Sequence, residues 1–178
     1  MTRRIASALR RFRRSERGSM TVEFALWFPV FVMFLYSSLE LGVITIRQVM
    51  LDRGLDMAVR EVRLSTGQAP QHDDLKQRIC DFAAIIPDCT QNVKLEMRPT
   101  DMRDWQTIPD GADCTDRSED IRPLRQFTAG TDNEMMLLRA CVKFSPLSPT
   151  SRLVASMGTD GAGDVKIVAL SAFVQEPR

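Results

Sequence analysis

Histidine and tyrosine occur once each, and tryptophan twice, in 178 residues. His72 is therefore the only imidazole available to a Ser-His-Asp or Cys-His arrangement. Its neighbours Gln71, Asp73 and Asp74 read as a solvent-facing turn, not an active site. No glycine-rich phosphate loop, dinucleotide fingerprint or C-x-x-C pair is present. The chain is accordingly read as not an enzyme, with no catalytic residue, no metal site and no cofactor. Basic surface is also scarce beyond the N-terminus: from Arg47 onward there are 17 Lys+Arg against 20 Asp+Glu. That balance excludes a nucleic-acid-binding domain. With 44% hydrophobic residues, nine glycines and nine prolines, collagen-like and disordered classes are excluded as well.

What the chain has is segregation. Residues 1–18 hold seven arginines (Arg3, Arg4, Arg10, Arg11, Arg13, Arg14, Arg17) against the single acid Glu16. Directly beyond, Phe24 to Ile46 reads FALWFPVFVMFLYSSLELGVITI, 23 residues with one charge, Glu40. As a helix this run spans about 34 Å, enough for a bilayer core. A helix apolar on every side has no place in the core of so small a soluble domain. The run is too long for a signal-peptide h-region, and no small-x-small site follows it before Arg47. It therefore reads as a retained membrane helix. The arginine excess before it holds the N-terminus in the cytoplasm and exports the rest. The organisation expected is a basic leader over 1–18, a transmembrane helix over 19–46 and an exported domain over 47–178.

Two acids flank this span. Glu23 lies at its cytoplasmic edge, and Glu40 about 25 Å further along, near the opposite edge. A carboxylate at the centre of a bilayer costs roughly 2.5–3.5 kcal/mol, so both read as interfacial, or Glu23 meets a cation. Pro29 has no amide hydrogen and is expected to kink or loosen the helix around Ala25 to Phe28.

The order Arg-rich leader, Gly18, Ser19, then Glu23 and an apolar run resembles the type IV prepilin pattern. The longer string G-S-M-T-V-E-F-A-L-W-F-P-V, with Glu40 and Gly42 downstream, is similar to the TadE-like pseudopilins of the tight-adherence (Tad/Flp, type IVc) pilus system. Gly18, Val22 to Leu26, Phe24 among them, Pro29, Glu40 and Gly42 carry that likeness, which spans about residues 16 to 47. It implies a bacterial inner-membrane protein whose partners are a prepilin peptidase, other pilins and pseudopilins, and the Tad assembly platform. It further implies a cut after Gly18, Ser19 as the first mature residue and Glu23 as the fifth. At Ser19 the chain departs from type IVa prepilins, which carry an aromatic residue or Met there. The cut would remove the seven leader arginines and create an ammonium at Ser19 for Glu23 to pair with, in its own chain or a neighbour. An uncleaved single-pass protein with an exported scaffold or sensor domain is the alternative.

Beyond the membrane, Leu51, Leu55, Ala58 and Val62 form an apolar stripe that extends the helix to Leu64. Ser65 to Gly67 and Pro70 supply its stop. Leu75, Ile79, Phe82 and Ile86 predict a second helix, ending before Pro87. Alternation at Val93, Leu95 and Met97 predicts a strand, followed by strands over 135–144 and 165–175. Residues 99–133 read as a surface loop, Ser151 to Met157 as a short helix, and Asp160 to Gly163 as a turn. The acidic stretch Asp110 to Asp120 lacks the ligand order of an EF-hand. An α+β domain follows, a long N-terminal helix running into a pilin-like unit with a small antiparallel sheet.

Cys80, Cys89, Cys114 and Cys141 all lie beyond the span, an even number that points to two disulfides in an exported domain. Three connectivities are possible. Cys80–Cys89 with Cys114–Cys141 is favoured, joining the second helix to the turn before the first strand and the loop to the sheet. Each bridge would contribute on the order of 3 kcal/mol by closing loops in the unfolded chain. The spacings match no common zinc module.

Overall fold

The computed structural model describes residues 19–64, 71–101, 103, 111, 112, 114, 127, 128, 130–147 and 152–177. The basic leader with Gly18, the expected stop at Ser65 to Gly67 with Pro70, most of the acidic stretch from Asp110 to Asp120, and Ser151 lie outside them. The elements are α1 (Ser19–Leu64), α2 (His72–Phe82), α3 (Cys89–Asn92), β1 (Lys94–Pro99), β2 (Met135–Phe144), α4 (Arg152–Met157) and β3 (Val165–Val174). The fold is mixed α+β. By packing the chain divides into Met1–Leu39 and Glu40–Arg178, each taken in turn here.

The described part of the first unit is one helical stretch. Its side chains have nothing to pack on: Met20 is 86% exposed, Trp27 67% and Phe34 73%. The helix continues through Pro29 without a break in its assignment. The expected loosening at Ala25 to Phe28 therefore does not interrupt it. Phe24 and Phe28, one turn apart, stack with their ring centroids 5.0 Å apart.

In the second unit the same helix changes character. Glu40, Ile44, Leu51, Leu55, Ala58 and Val62 are buried at helical spacing, so one stripe of α1 now has a protein partner. Apolar composition runs on to Ile46, whereas packing begins at Glu40. That partner is the sheet, which has strand order β1-β2-β3 and is antiparallel throughout. Register sets Leu95 opposite Ala140, Met97 opposite Leu138, Val142 opposite Ile167 and Phe144 opposite Val165. With period-two alternation these residues share one face. All eight are buried, and they join the stripe of α1 in one apolar core.

Helix α2 crosses α1 closely because Gly54 has no side chain. A Cβ built at Gly54 would stand 2.6 Å from the backbone oxygen of Ile79. α2 stops at Phe82, four residues before the stripe predicted for it ends. Ile86 is still buried, but the chain has already turned, with the Ala83 amide bonding back to Ile79. The reversal brings Cys89 beside Cys80, with Cα atoms 5.6 Å apart and the sulfurs joined. The short helix α3 within this reversal has no counterpart in the sequence reading. Cys114 is joined to Cys141 on β2, which ties the long connection to the sheet face opposite the core. Arg139 on that face donates to the Gly111 carbonyl at 3.0 Å and lies 3.7 Å from Glu96, its register partner.

The β2–β3 connection is held by a mostly buried ion pair, Lys143 Nζ to Asp160 Oδ2 at 2.8 Å. Asp160 Oδ1 accepts the amides of Ala162 at 3.0 Å and Asp164 at 2.9 Å. The Lys143 hydrogen bond, aided by those amides, holds the Asp160 carboxyl below its ordinary value. An acid whose pKa is lowered on folding stabilises the fold above its unfolded pKa and loses that contribution as pH falls through the folded one.

Two outcomes follow for the isolated protein. Gly54→Leu drives a side chain into the α2 backbone and is expected to cost about 2–3 kcal/mol, read as a lowered thermal midpoint. Asp160→Asn is expected to cost about 2 kcal/mol at pH 7. Its midpoint should converge with that of the unmodified protein as pH is lowered below about 4, in thermal unfolding followed at stepped pH.

Candidate functional site

The residues singled out by the sequence fall on one element. Ser19 opens α1, and Glu23 stands exposed one turn in, on a surface otherwise made of Val22, Phe24, Leu26 and Trp27. From there the aromatic side chains of Phe24, Trp27, Phe28, Phe31 and Phe34 form a ridge around an open apolar groove of about 500 Å³. Pro29 is exposed within the helix. An 18-residue window of this helix has mean hydropathy 1.7, and 11% of it is buried. By length and composition it is able to cross a membrane, and its exposure distinguishes it from the core helix of a soluble domain. The polar side chains within it turn inward on their own helix. Ser37 donates to the Met33 carbonyl at 2.9 Å and Ser38 to that of Leu35 at 2.8 Å, so neither hydroxyl is left to hydrocarbon.

Glu40 is not held at a water-exposed boundary. Only 1% of it is exposed, and it heads the stripe that packs into the second unit. Gly42 has open space around it, with nothing within 4 Å of where a Cβ would stand. The contrast with Gly54 is sharp, since nothing within this chain demands a glycine at 42. Gly54 was not singled out by the sequence reading. Its signal was the pair Gly54 and Ala58, small residues four apart within an apolar stripe.

His72 is less solvent-facing than its neighbours in sequence implied. Its side chain is 19% exposed, Nδ1 lies 2.8 Å from Asp73, and the ring packs edge-on to Phe127 at 5.1 Å. No nucleophile is positioned on it by any contact described. Among the described residues no group of three His, Cys, Asp or Glu side chains is placed to hold a metal ion. The cysteines are consumed in the two bridges. A second groove of about 500 Å³ runs between α1 and β3, lined by Asp56, Val59, Arg60, Arg63, Ser171, Ala172 and Glu176. It is polar, and the Arg63–Glu176 pair at its end is exposed at 3.7 Å, a surface contact of small energetic weight.

Substituting Gly42 tests whether its small size serves the monomer. Gly42→Ala should leave the thermal midpoint of the detergent-solubilised chain within about 0.5 kcal/mol of the original, because no neighbour is displaced.

Residues 18–60 match the sequence profile of a family described as TadE-like protein. The matched segment begins at the glycine before Ser19 and runs through most of α1. No curated protein and no solved structure matches the chain.

Proposed function

We propose that this chain, TadE-like over the segment that forms most of α1, is a minor pilin or pseudopilin of a Tad-type (tight-adherence, type IVc) pilus. It is inserted in the bacterial inner membrane with its N-terminus in the cytoplasm and the domain from Arg47 onward in the periplasm. A prepilin peptidase cuts after Gly18, and the mature chain assembles with other pilins on the Tad platform through α1. The exported unit then serves initiation, tip display or length control. The chemistry belongs to the peptidase, and this chain is not an enzyme.

The observation that carries this reading is the exposed apolar helix from Met20 to Leu39, with Glu23 placed five residues after Gly18. Twenty residues of helix rise about 30 Å, the thickness of a bilayer core. The seven leader arginines favour a cytoplasmic N-terminus while the helix inserts. Their removal leaves a mature chain that begins with an ammonium four residues before a carboxylate. In a fibre of packed helices an unpaired Glu23 would be costly, and pairing it with an ammonium sets the axial register between neighbours. The two disulfides suit an oxidising compartment such as the periplasm.

Intact-mass and terminal peptide sequencing of the membrane-extracted chain tests the reading, with and without the cognate prepilin peptidase. The expected product begins at Ser19 only when the peptidase is present, and Gly18→Leu accumulates the precursor. Glu23→Ala is expected to be cut yet to fail in co-assembly with partner pilins. A chain that keeps Arg3 to Arg17 in the presence of the peptidase refutes the processing and makes an anchored scaffold the better account.

A further inference from the structure

The membrane-side end of the exported unit holds a cation with no ion pair among the described residues. Arg47 lies on α1 with its guanidinium carbon 4.4 Å from the centre of the Phe144 ring, a cation–π contact at the end of β2. Its Nε is enclosed and has no acceptor among the described residues. Glu40, two turns earlier on α1, is enclosed in the unit, and the other described acids near this end are engaged elsewhere. Asp52 accepts the Gln48 amide at 3.1 Å, Asp160 is bound to Lys143, and Asp164 accepts the Ser145 hydroxyl at 2.7 Å. Burial lowers the Arg47 pKa from its ordinary value, yet a guanidinium stays protonated under all ordinary conditions. A braced, permanently charged fork, enclosed at Nε and with no carboxylate partner among the described residues, is suited to a phosphate oxygen from outside the chain.

Position along the helix says where that phosphate comes from. With Glu23 at the inner boundary, a 30 Å hydrocarbon core is filled by about 20 residues, Phe24 to Val43. Arg47 then stands about 6 Å further out, within a headgroup layer roughly 5–8 Å thick. Its surroundings are what that layer accepts: Ile46 is 47% exposed, Val49 56% and Leu147, three residues past Phe144, 55%. Exposed apolar side chains around a cation are a poor match to bulk water and a good match to the boundary between headgroups and acyl chains. Lys166, next to the register partner of Phe144, adds a second exposed cation at the same end.

We propose that Arg47, braced on Phe144, binds the phosphodiester of an anionic phospholipid in the periplasmic leaflet, while Ile46, Val49 and Leu147 enter the headgroup–acyl boundary. The site rests on the membrane-spanning reading of α1. It fixes the height and rotation of the exported unit on the bilayer before the subunit is withdrawn into any assembly.

The test uses the full chain in nanodiscs of phosphatidylcholine alone or of phosphatidylcholine with one quarter phosphatidylglycerol, with retained lipid counted by native mass spectrometry. The unmodified chain is expected to keep phosphatidylglycerol in preference to phosphatidylcholine, and Arg47→Gln to lose that preference by about tenfold. Arg53→Gln, at an exposed position on the same helix, should leave it intact. Phe144→Leu keeps the charge and removes the brace, and should weaken retention less than Arg47→Gln does. Equal retention by Arg47→Gln overturns the proposal, as does loss of the preference when inorganic phosphate is added, which marks a free-anion site instead. Should Arg47→Gln fail to form both disulfides, the two lipid compositions and the phosphate competition on the unmodified chain decide the matter. Alkaline carbonate extraction separates the two levels. Release of the chain refutes the membrane reading, whereas a retained chain with no lipid preference refutes the phospholipid site alone.

Discussion

One 46-residue helix has to satisfy two surroundings, and everything else in the molecule is arranged around that requirement. Its first twenty residues present apolar side chains in every direction. They are exposed among the described residues, and hydrocarbon or the helices of other subunits would cover them without a large solvation cost. From Glu40 onward the same backbone presents a single buried stripe. There the sheet and α2 supply the partner, and from Asp52 onward the exposed side of the helix is polar. Helical hydrogen bonding is indifferent to this change of surroundings, so the change needs no break in the chain.

The unit from Glu40 onward is small for the work of holding a long helix end, and it compensates by covalent and close-packed means. The Cys80–Cys89 bridge fixes the reversal after α2, which in turn sets the α2 backbone directly against Gly54. The Cys114–Cys141 bridge fastens the long connection before β2 to the sheet face away from the core. The first closes the turn between α2 and α3, and the second reaches the sheet. The buried polar groups follow the same economy. The Asn92 side-chain amide donates to the Lys143 carbonyl, and the Lys143 ammonium reaches Asp160, so two connections are pinned through the backbone and the side chain of one residue.

Function in this reading is carried by placement. Glu23, Glu40 and Arg47 lie on one helix, yet each meets a different medium. Glu23 is exposed among apolar side chains, Glu40 is enclosed by protein, and Arg47 rests on an aromatic ring beside exposed apolar residues. On the proposed membrane reading, ionic side chains at three heights along this rod act as depth markers. The free energy of moving any one of them into hydrocarbon amounts to kcal/mol, enough to hold the rod at one depth.

Much of this was legible in the residues. The apolar run, the arginine leader and the glycine–glutamate spacing are local patterns, read without knowing what touches what. β2 and β3 could be placed to within a residue because each is an apolar run bounded by polar or turn residues. Gly54 illustrates what local pattern misses, since a glycine in a helical stripe looks like a weakness until the Ile79 carbonyl is seen against it. The end of α2 was misplaced for a related reason: Ile86 keeps the helical spacing in its burial while the backbone has already turned toward Cys89. Glu40 looked interfacial because charge and distance along the helix put it there. Whether it meets water or protein depends on residues distant in sequence. The sequence by itself determined the membrane-compatible helix, its polarity signals and the period of each element, because these are set by neighbours along the chain. Only the tertiary structure decided where packing begins, which glycine meets a backbone oxygen and which cation rests on an aromatic ring, because those are set by atoms that meet after the chain has folded back on itself.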